Sequence, residues 1–212
     1  MIAHFFHPLL AEIGGGYLFF KDLMSSAIKK FPKRELIFDQ IWKVSVQSAS
    51  TTALAGFFVG GVMTVQFTVQ LKQFGALAYL GGLSTSATIR EIGPLLIAFM
   101  LSGKVGAFTS AELGTMRVTE QIDAIRCLGA DPIQEIILPR FFGIVISSFF
   151  LLAIGLFMSI FGGLFLGIYF AGINPEEYLR YIPVIVKWPS LLIGLFKCFV
   201  FALLLASICT YK

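Results

Sequence analysis

The sequence predicts an all-α, polytopic helical membrane protein: an N-terminal interfacial helix followed by at least four transmembrane helices. Three observations predict it. Apolar residues make up 57% of the 212 and charged residues 13%, against roughly 25% charged in soluble domains. Two charge-free runs, 44–71 with 28 residues and 141–170 with 30, each exceed the ~20 residues that cross a bilayer. The only long polar interval is 111–140, which holds five acids and three arginines.

Residues 1–43 come before the first run. Residues 1–28 are apolar but broken by Glu12, Lys21 and Asp22, with no basic leader region and no small-residue cleavage site. That pattern reads as a helix lying in the membrane surface, not as a signal peptide or a span. Lys29, Lys30, Lys33, Arg34 and Lys43 follow, and such a cluster beside a first span marks its cytoplasmic side. The span 44–71 runs outward from there. Gly56 and Gly60 give it a small-xxx-small pair, whose expected use is close helix packing.

The tract 75–103 returns inward, interrupted by Gly81-Gly82, a hydroxyl-rich run over 84–88, and Arg90-Glu91. A charged side chain at the centre of a lipid-facing helix costs ~2.5–3.5 kcal/mol or more. Neighbours in sequence cannot share one helix face, so at least one of the pair faces protein or a wet cavity. Either a salt bridge holds the bundle together or a polar spot lines a substrate cavity, and Pro94 just beyond favours the cavity.

Lys104 opens a cytoplasmic segment, 104–140. Val118, Ile122, Ile125 and Gly129 recur at helical spacing, which predicts a short amphipathic helix with Glu120 and Asp123 on another face. Gly129 is placed to end that helix, and Asp131-Pro132 to turn the chain into a second short element that Pro139 closes. By pattern this is equally a solvated loop helix or a docking surface for a soluble partner.

The third span, 141–170, carries Gly162, Gly163 and Gly167 as a close-packing face. Asn174 as a cap, Pro175 at the first helical position, and Glu176 and Glu177 in the first turn predict a short outer-face helix within 174–187. Trp188-Pro189 marks re-entry into a fourth span, 191–211. Lys197, one to two turns in, either snorkels outward or pairs with Glu91. This topology leaves eleven Lys and Arg inside (21, 29, 30, 33, 34, 43, 104, 117, 126, 140, 212) and five elsewhere (72, 90, 180, 187, 197). That asymmetry supports the orientation.

Cys127, Cys198 and Cys209 lack paired or ligand spacing and read as small buried hydrophobes. His4 and His7 have no companion ligands, so no metal site is expected. No phosphate-binding loop, H-E-x-x-H or G-x-S-x-G is present, so nothing here hydrolyses ATP or cuts a bond. Uphill movement of a substrate would need energy from elsewhere.

Five stretches carry a specific resemblance: Arg90-Glu91-Ile-Gly-Pro94; Ser102-Gly-Lys104-Val-Gly106; Ala111-Glu112 through Asp123-Ala124; Gly129-Ala-Asp131-Pro132; and Pro139-Arg140. In that order they resemble the MlaE/YrbE permease family, the membrane subunits of ABC transporters that work with MCE proteins in lipid trafficking. Lys104 stands where the family often has Arg.

The resemblance implies a homodimer that binds two copies of a soluble ABC ATPase at the inner face. ATP is bound by that partner, so this chain needs no cofactor of its own and is not an enzyme. The coupling residues it implies are Glu112, Arg117, Glu120, Gln121, Asp123, Arg126, Gly129, Asp131 and Pro132. Arg90, Glu91, Pro94 and Lys197 would face a lipid cavity, and an MCE-domain protein on the outer face would exchange phospholipid with it. No nucleic-acid partner is implied. Residues 1–30 lack the Arg- and Ser-rich, acid-poor character of a plastid leader, so the bacterial inner (cytoplasmic) membrane is the expected location. Family members run further, so a fifth span is expected beyond residue 212 and the sequence is a truncation or a fragment. The alternative is a non-ABC channel, or a scaffold recruiting a soluble partner, in which Arg90, Glu91 and Lys197 are purely structural. An intramembrane enzyme has no nucleophile–base pair or ligand set to support it.

Overall fold

The computed structural model describes the backbone of residues 2–29 and 32–211, and side chains from residue 14 onward except 29–31 and 212. Lys30 and the side chains of His4, His7, Glu12 and Lys29 therefore lie outside what is described. All regular structure among the described residues is helical. The elements are α1 (Ile2–Lys29), α2 (Arg34–Gln73), α3 (Leu77–Val118), α4 (Gln121–Cys127), α5 (Ile133–Ala171), α6 (Pro175–Arg180), α7 (Ile182–Ile185) and α8 (Trp188–Tyr211). Four of them, α2, α3, α5 and α8, are long and apolar enough to cross a bilayer, so the chain is a multi-pass membrane protein.

The spans are longer than the apolar runs that betray them. Helix α2 has 40 residues, or about 60 Å at 1.5 Å per residue, twice the hydrocarbon core. Its first ten residues extend past the membrane at the end that carries the basic cluster, called here the basic end. Glu35 in its first turn and Lys72 in its last both suit the helix dipole.

The parallel seam between α2 and α5 is the backbone of the fold. Gly56 meets Gly155, Gly60 meets Ser159, and Gly162 meets Phe57. A Cβ on Gly56 would lie 2.5 Å from the Gly155 carbonyl oxygen, so only glycine allows this approach. Ser48, Thr52, Thr64 and Thr68 are buried in the same four-residue register. The main core, with Leu96, Ile97, Leu101, Leu138, Phe141, Leu151 and Ala202, fills the space between this seam, α3 and α8. A smaller core of Leu71, Leu80, Ile173 and Tyr178 closes the far end.

Pro94 and Pro139 each sit inside a continuous helix, just after a π turn. The Gly93 N–H reaches back five residues to Thr88 before Pro94, and Leu138 does the same to Ile133 before Pro139. The wider turn absorbs the missing proline donor and the ring's bulk. Pro139 therefore closes nothing, contrary to the sequence reading, and α5 runs through it.

The polar segment also differs from expectation. The second span does not stop at 103; α3 continues to Val118. The helix expected across 118–129 breaks at Glu120, which adopts a left-handed φ of 56°. Thr115 and Thr119 hydroxyls each donate to the carbonyl four residues back, a local alternative that favours termination. Val118 is exposed, and only Ile122 and Ile125 of the supposed apolar face are half-buried. Cys127 is exposed too, unlike buried Cys198 and Cys209; all three are free thiols. Helix α1 lies against α8 and the start of α5, with Leu23 buried, Phe19 and Phe20 partly so, and Lys21 and Asp22 exposed.

Candidate functional site

Two polar constellations stand out, one at the basic end and one within the membrane. The first is built on α4 and its flanking turns. Gly129, at φ 78°, ends α4 with paired bonds: its N–H donates to Arg126 and that of Ala130 to Ile125. Asp131 then caps the next helix, its Oδ1 accepting from the Ile133 N–H at 3.0 Å. These local signals fold the chain into a hook beneath the ends of α3 and α8.

The hook encloses a groove of about 430 Å³. Its floor is apolar, with Phe19, Leu113, Ile133 and Ile137, and its walls carry Arg117, Asp123, Arg126 and Asp131. Arg126 and Asp123 pair at 3.0 Å but are two-thirds exposed, so the bond contributes well under ~1 kcal/mol. Arg117 and Asp131 form no ion pair among the described residues. Five of the nine residues assigned to coupling, Arg117, Asp123, Arg126, Asp131 and Pro132, thus line one groove. Glu120, Gln121 and Gly129 are exposed outside its lining.

Glu112 is placed differently. It turns into the bundle, where its two oxygens meet Lys43 of α2 at 3.2 Å and Arg140 of α5 at 3.1 Å. The Arg140 side chain is only 7% exposed, and its second Nη has no partner. This three-helix ion cluster, together with Phe19 and Tyr211 in the groove, was missed in the sequence. An Arg at the threshold of a 30-residue apolar run was the available signal, since a buried guanidinium requires a carboxylate.

Within the membrane, Lys197 of α8 pairs with Glu91 of α3 at 2.5 Å. Pairing, not snorkelling, is the geometry found. Gly194 makes it possible by letting α8 close on the Ile89 carbonyl. The pair is open: Glu91 is 62% exposed and Lys197 35%. Arg90 is also exposed and forms no ion pair among the described residues. Pro94 is fully buried in the core, so it shapes α3 without lining a cavity. At 1.5 Å per residue, Lys197 and Arg90 lie about 14 and 20 Å inside the far ends of their helices, deep in the bilayer.

Residues 37–212 match a family described as Permease MlaE. A probable ABC transporter permease protein of Rickettsia conorii is 32% identical over 201 residues, covering 95% of this chain and 78% of the relative. The intermembrane phospholipid transport system permease protein MlaE of Haemophilus influenzae is 31% identical over 185 residues, covering 87% and 70%. The chloroplast protein TRIGALACTOSYLDIACYLGLYCEROL 1 of Arabidopsis thaliana is 38% identical over 101 residues, covering 48% of this chain and 29% of that protein.

Proposed function

The chain belongs to the MlaE permease family, and from that premise we propose that it is the transmembrane subunit of an ABC transporter that moves phospholipid between membranes. A separate ATPase supplies the energy and docks, in two copies, on a permease homodimer. An MCE-domain protein receives or delivers the lipid on the opposite face. The bacterial inner membrane is the setting this assigns.

The observation that carries the reading is the groove at the basic end. An apolar floor with charged walls suits the amphipathic helix of a soluble protein, whose apolar side anchors while the rim fixes register. The ion pair in the membrane supports the substrate side. Arg90 and Glu91 are exposed and Lys197 half-buried on a single chain, at a depth where lipid would penalise each by ~2.5–3.5 kcal/mol. A wet cavity between two copies removes that penalty and offers charges to a phospholipid headgroup.

Helix α3 links the two places. It is continuous from Glu91 to Arg117, about 39 Å at 1.5 Å per residue, and a π turn at Leu101–Gly106 lies between them. Closure of the ATPase dimer would push the groove end of α3, and the helix would carry the displacement to the Glu91–Lys197 pair. The chain's own residues hold the lipid and transmit the movement; the bond-breaking step belongs to the partner.

The test is affinity purification in mild detergent from cells making the natural partners, with mass spectrometry of proteins and lipids. A P-loop ATPase, an MCE-domain protein and phospholipid should be recovered with the chain. Asp123→Lys should lose the ATPase while keeping the membrane fold. A lipid-poor homo-oligomer without an ATPase would overturn the proposal.

A further inference from the structure

A second, smaller polar pocket lies at the basic end on the other side of α3, between it and α2. It holds about 70 Å³, room for several waters or one phosphate group in their place. Val44 and Val105 form its apolar floor, at the level where the charge-free part of each span begins. Lys43 and Lys104 face each other across it, and Glu112 closes one side.

The charges there do not balance. Glu112 is the one carboxylate in the lining, and it already serves two cations, Lys43 and buried Arg140. Lys104 has no acid: its ammonium donates to the backbone carbonyl of Gln47. Asp39, one turn before Lys43, pairs with none of these groups. Three cations against one carboxylate leave two positive charges at the edge of the hydrocarbon, with half-buried Lys43 and exposed Lys104 open to an incoming anion. Gln40, Ser48 and Thr109 add neutral hydrogen-bonding groups to the same walls.

The geometry points to an anion site: the pocket between α2 and α3 binds a phosphate group through Lys43 and Lys104. Its depth, at the edge of the inner apolar zone, matches the phosphodiester of a phospholipid in the leaflet at the basic end. It is separate from the Glu91–Lys197 pair, nearer the opposite end of α3, and does not depend on the transport reading. A lipid held there would clamp α2 to α3 beside the groove.

The test uses the full chain, stripped of lipid in mild detergent and titrated with phosphatidylglycerol under native mass spectrometry. Diacylglycerol with the same acyl chains is the phosphate-free control. One phosphatidylglycerol per chain should be retained that diacylglycerol does not replace. Lys43→Gln with Lys104→Gln should remove that one molecule, weakening its binding roughly tenfold or more, the loss of one charge-assisted bond or better. Lys43→Arg with Lys104→Arg should restore it, and Lys72→Gln, at the far end of α2, should change nothing. Should the double Gln variant fold poorly, Lys104→Gln alone carries the test, since its ammonium touches only a backbone carbonyl. Displacement by inorganic phosphate identifies free phosphate as a ligand; no displacement assigns the site to lipid headgroups. Equal retention by the Gln variants and the parent, or equal binding of diacylglycerol, overturns the inference.

Discussion

Replacing Glu112 with Leu should cost far more stability than its half-exposed position suggests. Its two ion pairs differ in kind. Lys43 is 35% exposed and Glu112 32%, so that bond is partly screened and is worth under ~1 kcal/mol. Arg140 is 7% exposed and, besides Glu112, touches only the Met116 sulfur at 3.5 Å. Without Glu112 a buried guanidinium keeps its charge and loses its counter-ion, at about 3–5 kcal/mol. Lys43→Met should therefore be mild, Glu112→Leu severe, and Glu112→Leu with Arg140→Met close to the parent, because removing both charges removes the desolvation cost. Unfolding midpoints of the purified variants in one detergent, combined as a double-mutant cycle, measure this. If the double variant is no more stable than Glu112→Leu alone, the buried charge is not what makes Glu112 necessary.

Gly60→Leu should disrupt the α2–α5 seam by more than the ~1–3 kcal/mol of ordinary overpacking, because its Cβ meets the Ser159 carbonyl and not a yielding side chain; an unchanged unfolding midpoint would refute the seam. Glu120→Gly should raise stability by up to about 1 kcal/mol, since glycine adopts the left-handed corner without strain, and a clear loss would assign the Glu120 side chain a contact of its own. Tyr178→Phe removes hydroxyl bonds to Ser84 at 3.1 Å and Thr64 at 3.3 Å in a buried site, costing about 1–3 kcal/mol. Hydrogen exchange should quicken in α6 if that tyrosine holds it down.

The membrane spans were legible because burial in lipid imposes one rule, the absence of charge, over many consecutive residues. The caps were legible for a similar reason. Gly129 and Asp131 act within three residues of themselves, and the structure has them ending α4 and starting α5 as their types require. The failures are of another sort. Pro139 carries the usual signal of a helix end, yet a π turn before it, like the one before Pro94, lets the helix continue, and nothing in the local sequence announces that turn. Glu120 reads as an ordinary helical residue; its left-handed backbone comes from the sharp turn between α3 and α4. Glu112 shows the limit most clearly. Its partners lie 69 positions before it and 28 after it, so spacing could mark it as polar but not say that it faces inward.

The placement of the polar groups follows from how the seam is made. Along Gly56, Gly60 and Gly162 the backbones of α2 and α5 approach until a single Cβ would collide, so no functional side chain fits between them. What polarity the seam holds is confined to small hydroxyls such as Thr52, Thr64 and Thr68, and the Thr68 hydroxyl turns back to its own helix at 2.7 Å. Charged side chains of α2 and α5 therefore sit beyond the seam, as Lys43 and Arg140 do at its basic end, and the charges within the membrane sit on α3 and α8, which pack on the seam from outside. There one glycine, Gly194, sets the approach of α8 to α3, and three residues later Lys197 meets Glu91. A rigid pair of helices thus carries a second pair whose contact is polar, open and made by flexible side chains. In the proposed mechanism that division would let a push on the groove change the spacing of α3 and α8 without unzipping the part of the fold on which both depend.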